Sequence, residues 1–130
     1  MIKFVIRVVE EIKAKELVMQ LCIYGIGQLD LFEKQLVGTT YRSEYKSLIL
    51  FIQHFANGGE PGKKVKYLKG NDGPTEFEFI SKHLRIYAIQ RPGRKLIIYG
   101  GIKKASDSHD NISIFRAIKK EYLSSLNQRK

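Results

Sequence analysis

Along this chain the spacing of apolar residues changes several times, and each change marks an element. Residues 2–9 (Ile-Lys-Phe-Val-Ile-Arg-Val-Val) are β-branched and aromatic and partly alternate, which predicts a strand. Glu10 to Lys15 is polar and turn-like, and Leu17 to Tyr24 returns to apolar residues as a second strand. A helix from Glu10 to Cys22 competes with this hairpin, because Glu, Lys, Ala, Leu and Met favour helix; the hairpin is the preferred assignment. Gly25 and Gly27 end whichever element forms. Gln28 to Leu36 carries Leu29, Phe32 and Leu36 at helical spacing and stops at Gly38. With Thr39 or Thr40 as cap, Tyr41, Tyr45, Leu48, Ile49, Ile52 and Phe55 then recur every three or four residues. That is the clearest helical stripe in the chain, and it ends at Asn57-Gly58-Gly59.

After the loop Glu60-Pro61-Gly62 the period shortens. Strands are predicted at Val65 to Lys69, Thr75 to Ile80, Leu84 to Gln90 and Lys95 to Lys103. Their separators, Gly70 to Pro74, Ser81-Lys82-His83 and Arg91-Pro92-Gly93-Arg94, are short and turn-rich, as antiparallel hairpins require. Ser106 to Asp110 makes a helix start, and Ile112, Phe115, Ile118, Tyr122 and Leu126 form the apolar side of a last helix whose other side carries Arg116, Lys119 and Lys120. The order predicts an α+β domain: an antiparallel sheet with helices packed on one side, two from the first half and one C-terminal, leaving an open sheet face.

Composition sharpens this picture in one respect. The 130 residues carry a net charge of +10, and all of it lies in the second half. Residues 1–60 hold seven Lys/Arg and seven Asp/Glu; residues 61–130 hold sixteen against six. The excess is interleaved with the strand segments, so a cationic sheet face and a polyanionic partner, nucleic acid above all, are expected. The length suits one domain, residues 1–130, and 43% apolar content suffices for one core. The lone Cys22 sits in an apolar run, as a buried free thiol in a reducing cytoplasm would. No signal peptide and no membrane span are expected. His54, His83 and His109 are far apart and lack ligand spacing, so no metal and no other cofactor is expected. His54 lies beside the stripe of its helix and fits a partly exposed position.

The second half also has a recognisable texture: Val65-Lys66-Tyr67-Leu68-Lys69-Gly70, then Thr75-Glu76-Phe77-Glu78-Phe79, then Leu84-Arg85-Ile86-Tyr87, then Ile97-Ile98-Tyr99-Gly100-Gly101-Ile102-Lys103-Lys104, then a basic helix. This order resembles the RelE/ParE toxin superfamily, in particular its HigB-like branch, over about residues 41–125. Residues 1–40 would then be an N-terminal elaboration. The resemblance implies a RelE-like fold, a cytoplasmic toxin of a bacterial type II toxin–antitoxin system, and ribosome-dependent mRNA cleavage. It also implies a cognate antitoxin protein, of helix-turn-helix type, as partner. Lys66 and Lys69 stand where that family has strand lysines, Arg85 matches the arginine of the central strand, and Lys103 and Lys104 match the paired lysines closing the last strand. The family pattern has an arginine where Ile80 stands here; Lys82 or His83 from the adjoining turn could compensate.

Such cleavage activates a ribose 2′-hydroxyl against the neighbouring phosphate without a metal, and needs a base, cations at the phosphate and an acid for the leaving oxygen. In this scheme Arg85 grips the phosphate through its planar fork, Lys66 or Lys69 is the base, and His83 is a candidate acid. Lys103, Lys104, Arg91 and Arg94 would contact RNA, and Tyr87 and Tyr99 could stack on a base. Each has a plainer reading: lysines as solvating groups, Arg85 paired with Glu76 or Glu78, Lys103-Lys104 protecting a sheet edge, the tyrosines packed beneath the last helix, Arg91 and Arg94 as turn charges. No histidine–glutamate pair is evident. Beside the endoribonuclease stand two alternatives, a non-catalytic RNA- or antitoxin-binding module of the same fold and a gyrase-poisoning toxin.

Overall fold

A computed structural model describes residues 2–70, 73–103 and 109–127. Its first hairpin pairs β1 (Phe4–Val8) with β2 (Leu17–Ile23) antiparallel, Val5 facing Cys22 and Arg7 facing Gln20. Residues 10–16 lie in no helix or strand, so the competing helix through Cys22 does not form. The alternation of β2 buries Val18 and Met19 on opposite faces and leaves no polar stripe for a helix to turn outward. Cys22 is a buried free thiol. A short β3 (Ile26–Gly27) folds back on β2 and leads into α1 (Gln28–Gln35) and α2 (Arg42–Ala56). Neither helix is capped by the side chain of its own N-cap residue; the Gln20 amide oxygen of β2 accepts from the Leu29 and Asp30 N–H groups that open α1. Thr39 instead accepts from the Tyr41 N–H and donates to the Leu36 carbonyl, bridging the two helices.

The meander follows as β4 (Val65–Tyr67), β5 (Glu76–Ile80), β6 (Leu84–Arg91) and β7 (Arg94–Ile102), each antiparallel to the next. Strand order is β1-β2-β7-β6-β5-β4, with β3 added to β2. The expectation of a purely antiparallel sheet needs one correction: β2 runs parallel to β7, Leu17 facing Arg94 and Gln20 facing Ile97. The reason is the crossover through α1, α2 and the meander, which returns the chain to the middle of the sheet in the direction of β2.

The placement of the last helix is the larger correction. Phe77, Phe79, Leu84, Ile86, Ala88 and Ile97 pack with α1 and α2 on one face. Tyr87, Ile89, Leu96 and Ile98 pack on the opposite face with Phe115 and Tyr122 of α3 (His109–Asn127). The sheet is therefore covered on both sides. Strand β7 explains why: Leu96, Ile97 and Ile98 are all without exposure, so both of its faces demand cover. Two glycines permit the close approach on the two sides. A Cβ on Gly100 would lie 2.4 Å from the Phe32 ring of α1, and one on Gly101 2.4 Å from the Asn111 amide of α3. Among the described residues no helix is long and apolar enough to cross a membrane.

Candidate nucleic-acid interface

With both faces covered, the exposed cations of the described strands and their turns lie at edges and ends. One end of the sheet gathers several. The Ile80 N–H bonds to the Lys64 carbonyl (2.8 Å), Ser81 N–H to the Leu84 carbonyl (3.1 Å), and Lys103 N–H to the His83 carbonyl (2.7 Å). These bonds align the start of β4, the β5–β6 turn and the exit of β7. Lys63, Lys64, Lys82 and Lys103 are exposed there, and none forms an ion pair with a described residue. Lys64 rests its ammonium over the Phe51 ring at 5.7 Å.

The turn at the centre of this end is organised by an acid from α2. Glu44, in the first turn of that helix, accepts from the His83 N–H (2.6 Å), the Leu84 N–H (3.1 Å) and the Ser81 hydroxyl with one carboxylate oxygen, and binds His83 Nδ1 (2.9 Å) with the other. Burial alone would raise the Glu44 pKa; the hydrogen bonds from Ser81 and His83 outweigh it and hold the carboxyl below its ordinary value. An ionised carboxylate only accepts, so a neutral His83 carries its proton on Nδ1 and keeps the Nε2 lone pair. The imidazole also lies against the Tyr41 ring, 4.8 Å between centroids, with 40% of its side chain exposed. This is an oriented histidine–glutamate pair, the device that sequence reading does not find, because Glu44 and His83 are 39 positions apart.

The other expected site residues scatter. Arg85 is buried and gives Nη1 to the Ser81 and Leu84 carbonyls, so its guanidinium closes the β5–β6 turn; its neighbour is neither Glu76 nor Glu78. Tyr87 is without exposure. Its ring stacks on Phe115 (5.2 Å) and its hydroxyl donates to buried Glu78 (2.8 Å), so packing beneath α3 takes the face that a nucleobase would need. Lys66 faces Glu78 in the β4–β5 register on the same sheet face as Tyr87, at the opposite edge of the meander from Lys103. Lys69 lies beyond β4, exposed, its carbonyl accepting from Arg116 (2.7 Å). Arg91 and Arg94 pair with each other across the β6–β7 hairpin. At about 3.4 Å per strand residue they stand roughly 20 Å from Arg85. They line a separate cleft of 400 Å³ with Ile2, Phe4, Tyr122 and Leu126. Lys104 lies outside the described residues.

Other charges are committed to the fold. Glu76 is fully buried and ion-paired to Arg116 (2.8 Å) and Lys119, which fastens α3 to β5. Lys95 is buried, binds Glu16 (2.5 Å), and stands over the Phe77 and Phe55 rings. Among the described residues no group of three His, Cys, Asp or Glu side chains could hold a metal ion. No protein-family model, no curated protein and no solved structure matches this chain.

Proposed function

We propose that this chain binds RNA across the basic end of its sheet and cleaves it without a metal, as the toxin of a bacterial toxin–antitoxin pair. In this reading it acts in the cytoplasm on mRNA at the ribosome and is neutralised by a small helix-turn-helix antitoxin. The observation that carries the proposal is the His83–Glu44 pair set among lysines that no acid of the described residues neutralises. Glu44 fixes the imidazole through Nδ1, and Nε2 takes the proton of a ribose 2′-hydroxyl. The 2′ oxygen forms its bond to phosphorus as the bond to the 5′ oxygen breaks. That oxygen leaves with a proton from solvent or a neighbouring ammonium, and a 2′,3′-cyclic phosphate remains. Lys82, beside His83 in the β5–β6 turn, and Lys103, just past β7 and bonded to the His83 carbonyl, supply positive charge to the crowded phosphate. Arg85 acts through the turn it closes and not as a phosphate fork, which moves the base from Lys66 or Lys69 to His83.

One observation favours the non-catalytic binding module. With Arg85 committed to carbonyls and Tyr87 buried, the surface lacks a free bidentate fork and a stacking ring from β6. The two readings separate when the chain is induced in bacteria and mRNA ends are mapped. The proposal expects growth arrest and new 5′ ends within translated messages, both lost in His83→Gln. RNA binding with no new ends, in a protein whose His83→Gln variant behaves identically, would leave the binding module. DNA breaks with intact mRNA would point to gyrase.

A further inference from the structure

The β6–β7 hairpin sets two like charges against each other. Arg91 and Arg94 stand directly opposite across its turn, an arrangement that costs free energy when nothing neutralises it. The period of two places both side chains on the α3 face, since Ile89 and Leu96, two positions away along each strand, pack there. Arg7, Arg85 and Arg116 each bond to an acid or a carbonyl. The guanidinium groups of Arg91 and Arg94 bond to no described residue. Arg94 is half-buried: its Nε is sealed from solvent without a partner, while its two terminal nitrogens are not sealed. A guanidinium held in that way loses part of its hydration and gains no acceptor in return. An anion meeting the terminal nitrogens would compensate that loss and relieve the repulsion between the two arginines.

The rest of the space selects the anion. Both arginines open on the 400 Å³ cleft, whose other wall comes from β1 and the last turns of α3. There the Phe4 and Tyr122 rings meet edge to face, 5.8 Å between centroids, with Ile6 and Leu126 half-buried beside them. Among the described residues no acid lines the cleft. The volume falls in the range of small-molecule sites, and the wall suits hydrocarbon. An inorganic anion or a nucleic-acid strand would leave that wall uncovered. We infer that the cleft binds an aliphatic carboxylate, its head on the planar forks of Arg94 and Arg91 and its chain along Phe4, Ile6 and Leu126. The site is independent of the RNA reading.

The probe is decanoate, titrated by calorimetry below its micellar concentration at fixed ionic strength. Acetate, which lacks the chain, and decyltrimethylammonium, which carries the opposite charge, are the controls. Saturable 1:1 binding of decanoate is expected, with neither control binding. Arg94→Met keeps the packing of the stem and removes the unpartnered charge. It should melt at or above the parent temperature while binding decanoate about 10-fold more weakly, the contribution of one hydrogen bond to a charged group. Lys46→Gln, an exposed position of α2 on the other side of the sheet, should leave the affinity unchanged. Absence of saturable binding at millimolar decanoate, equal binding of either control, unchanged affinity in Arg94→Met, or a loss as large in Lys46→Gln would overturn the inference.

Discussion

Replacing Glu44 by Gln separates chemistry from architecture at the β5–β6 turn. The carboxylate oxygen that serves the Ser81 hydroxyl and the His83 and Leu84 N–H groups can be replaced by the amide oxygen, so those bonds survive in neutral form. The other oxygen, 2.9 Å from His83 Nδ1, becomes an NH2 group. A donor now faces Nδ1, which must accept, and the proton moves to Nε2. The variant therefore keeps the ring in place and inverts its tautomer. Charge-assisted bonds are about twice as strong as neutral ones, so weakening three of them costs about 1–2 kcal/mol. With an unfolding entropy of about 2.1 cal/mol/K per residue, that is a drop of roughly 4–7 °C in Tm for a chain of this length. Cleavage should fall much further, by about 10²- to 10⁴-fold, the usual range for loss of a general base. Nitrogen-15 spectra of the imidazole should report protonated Nδ1 in the parent and protonated Nε2 in the variant. If the tautomer inverts and cleavage stays within a few-fold of the parent, the pair is only a clasp between α2 and the turn and has no part in proton transfer.

Further predictions concern the surroundings of that site. Because the folded Glu44 pKa lies below the unfolded value of about 4.3, its stabilisation is complete above that pH and is lost as pH falls through the folded pKa. Urea unfolding between pH 7 and 3 should show a steeper acid loss in the parent than in Glu44→Gln, and parallel curves would contradict the assignment. Glu76→Gln takes the carboxylate from Arg116 and Lys119 and should cost about 3–5 kcal/mol; a loss below about 1 kcal/mol would mean the pair does not hold α3. Gly100→Ala forces a methyl against Phe32 and should cost about 1–3 kcal/mol, partly recovered by adding Phe32→Leu; no recovery would place the strain elsewhere.

The strands of the second half are legible in sequence because Phe77 and Phe79 alternate with Glu76 and Glu78, Ile86 to Ile89 is a short apolar run, and short turns separate them. The parallel pairing of β2 with β7 was not legible, since nothing local to Leu17 or Arg94 encodes a partner so far away in the sequence. The side taken by α3 was hidden by a misleading alternation. Glu76 and Glu78 look like the solvated face of β5, but Arg116, Lys119 and Tyr87 satisfy them in the interior. The matching signal was present in Arg116 and Lys119, three apart on one side of a helix whose opposite edge is apolar. At the candidate site the basic residues were visible as charges, but their division was not. Whether a cation is spare, as Lys82 is, or consumed, as Arg85 and Lys95 are, depends on carbonyls and acids brought by other elements. Glu44 carries no signal of this role in sequence, because an acid in the first turn of a helix already has an ordinary reason to be there.

RNA lying across the end of the sheet formed by the start of β4, the β5–β6 turn and the exit of β7 would perturb the backbone there. Amide resonances of the His83→Gln protein, which does not cleave, followed during titration with a short single-stranded RNA report it. Shifts concentrated at Lys63 and Lys64, Lys82 to Arg85 and Lys103, diminishing as salt is raised, are expected. Shifts centred on Arg91 and Arg94, or a spectrum that RNA leaves unchanged at low salt, would contradict it.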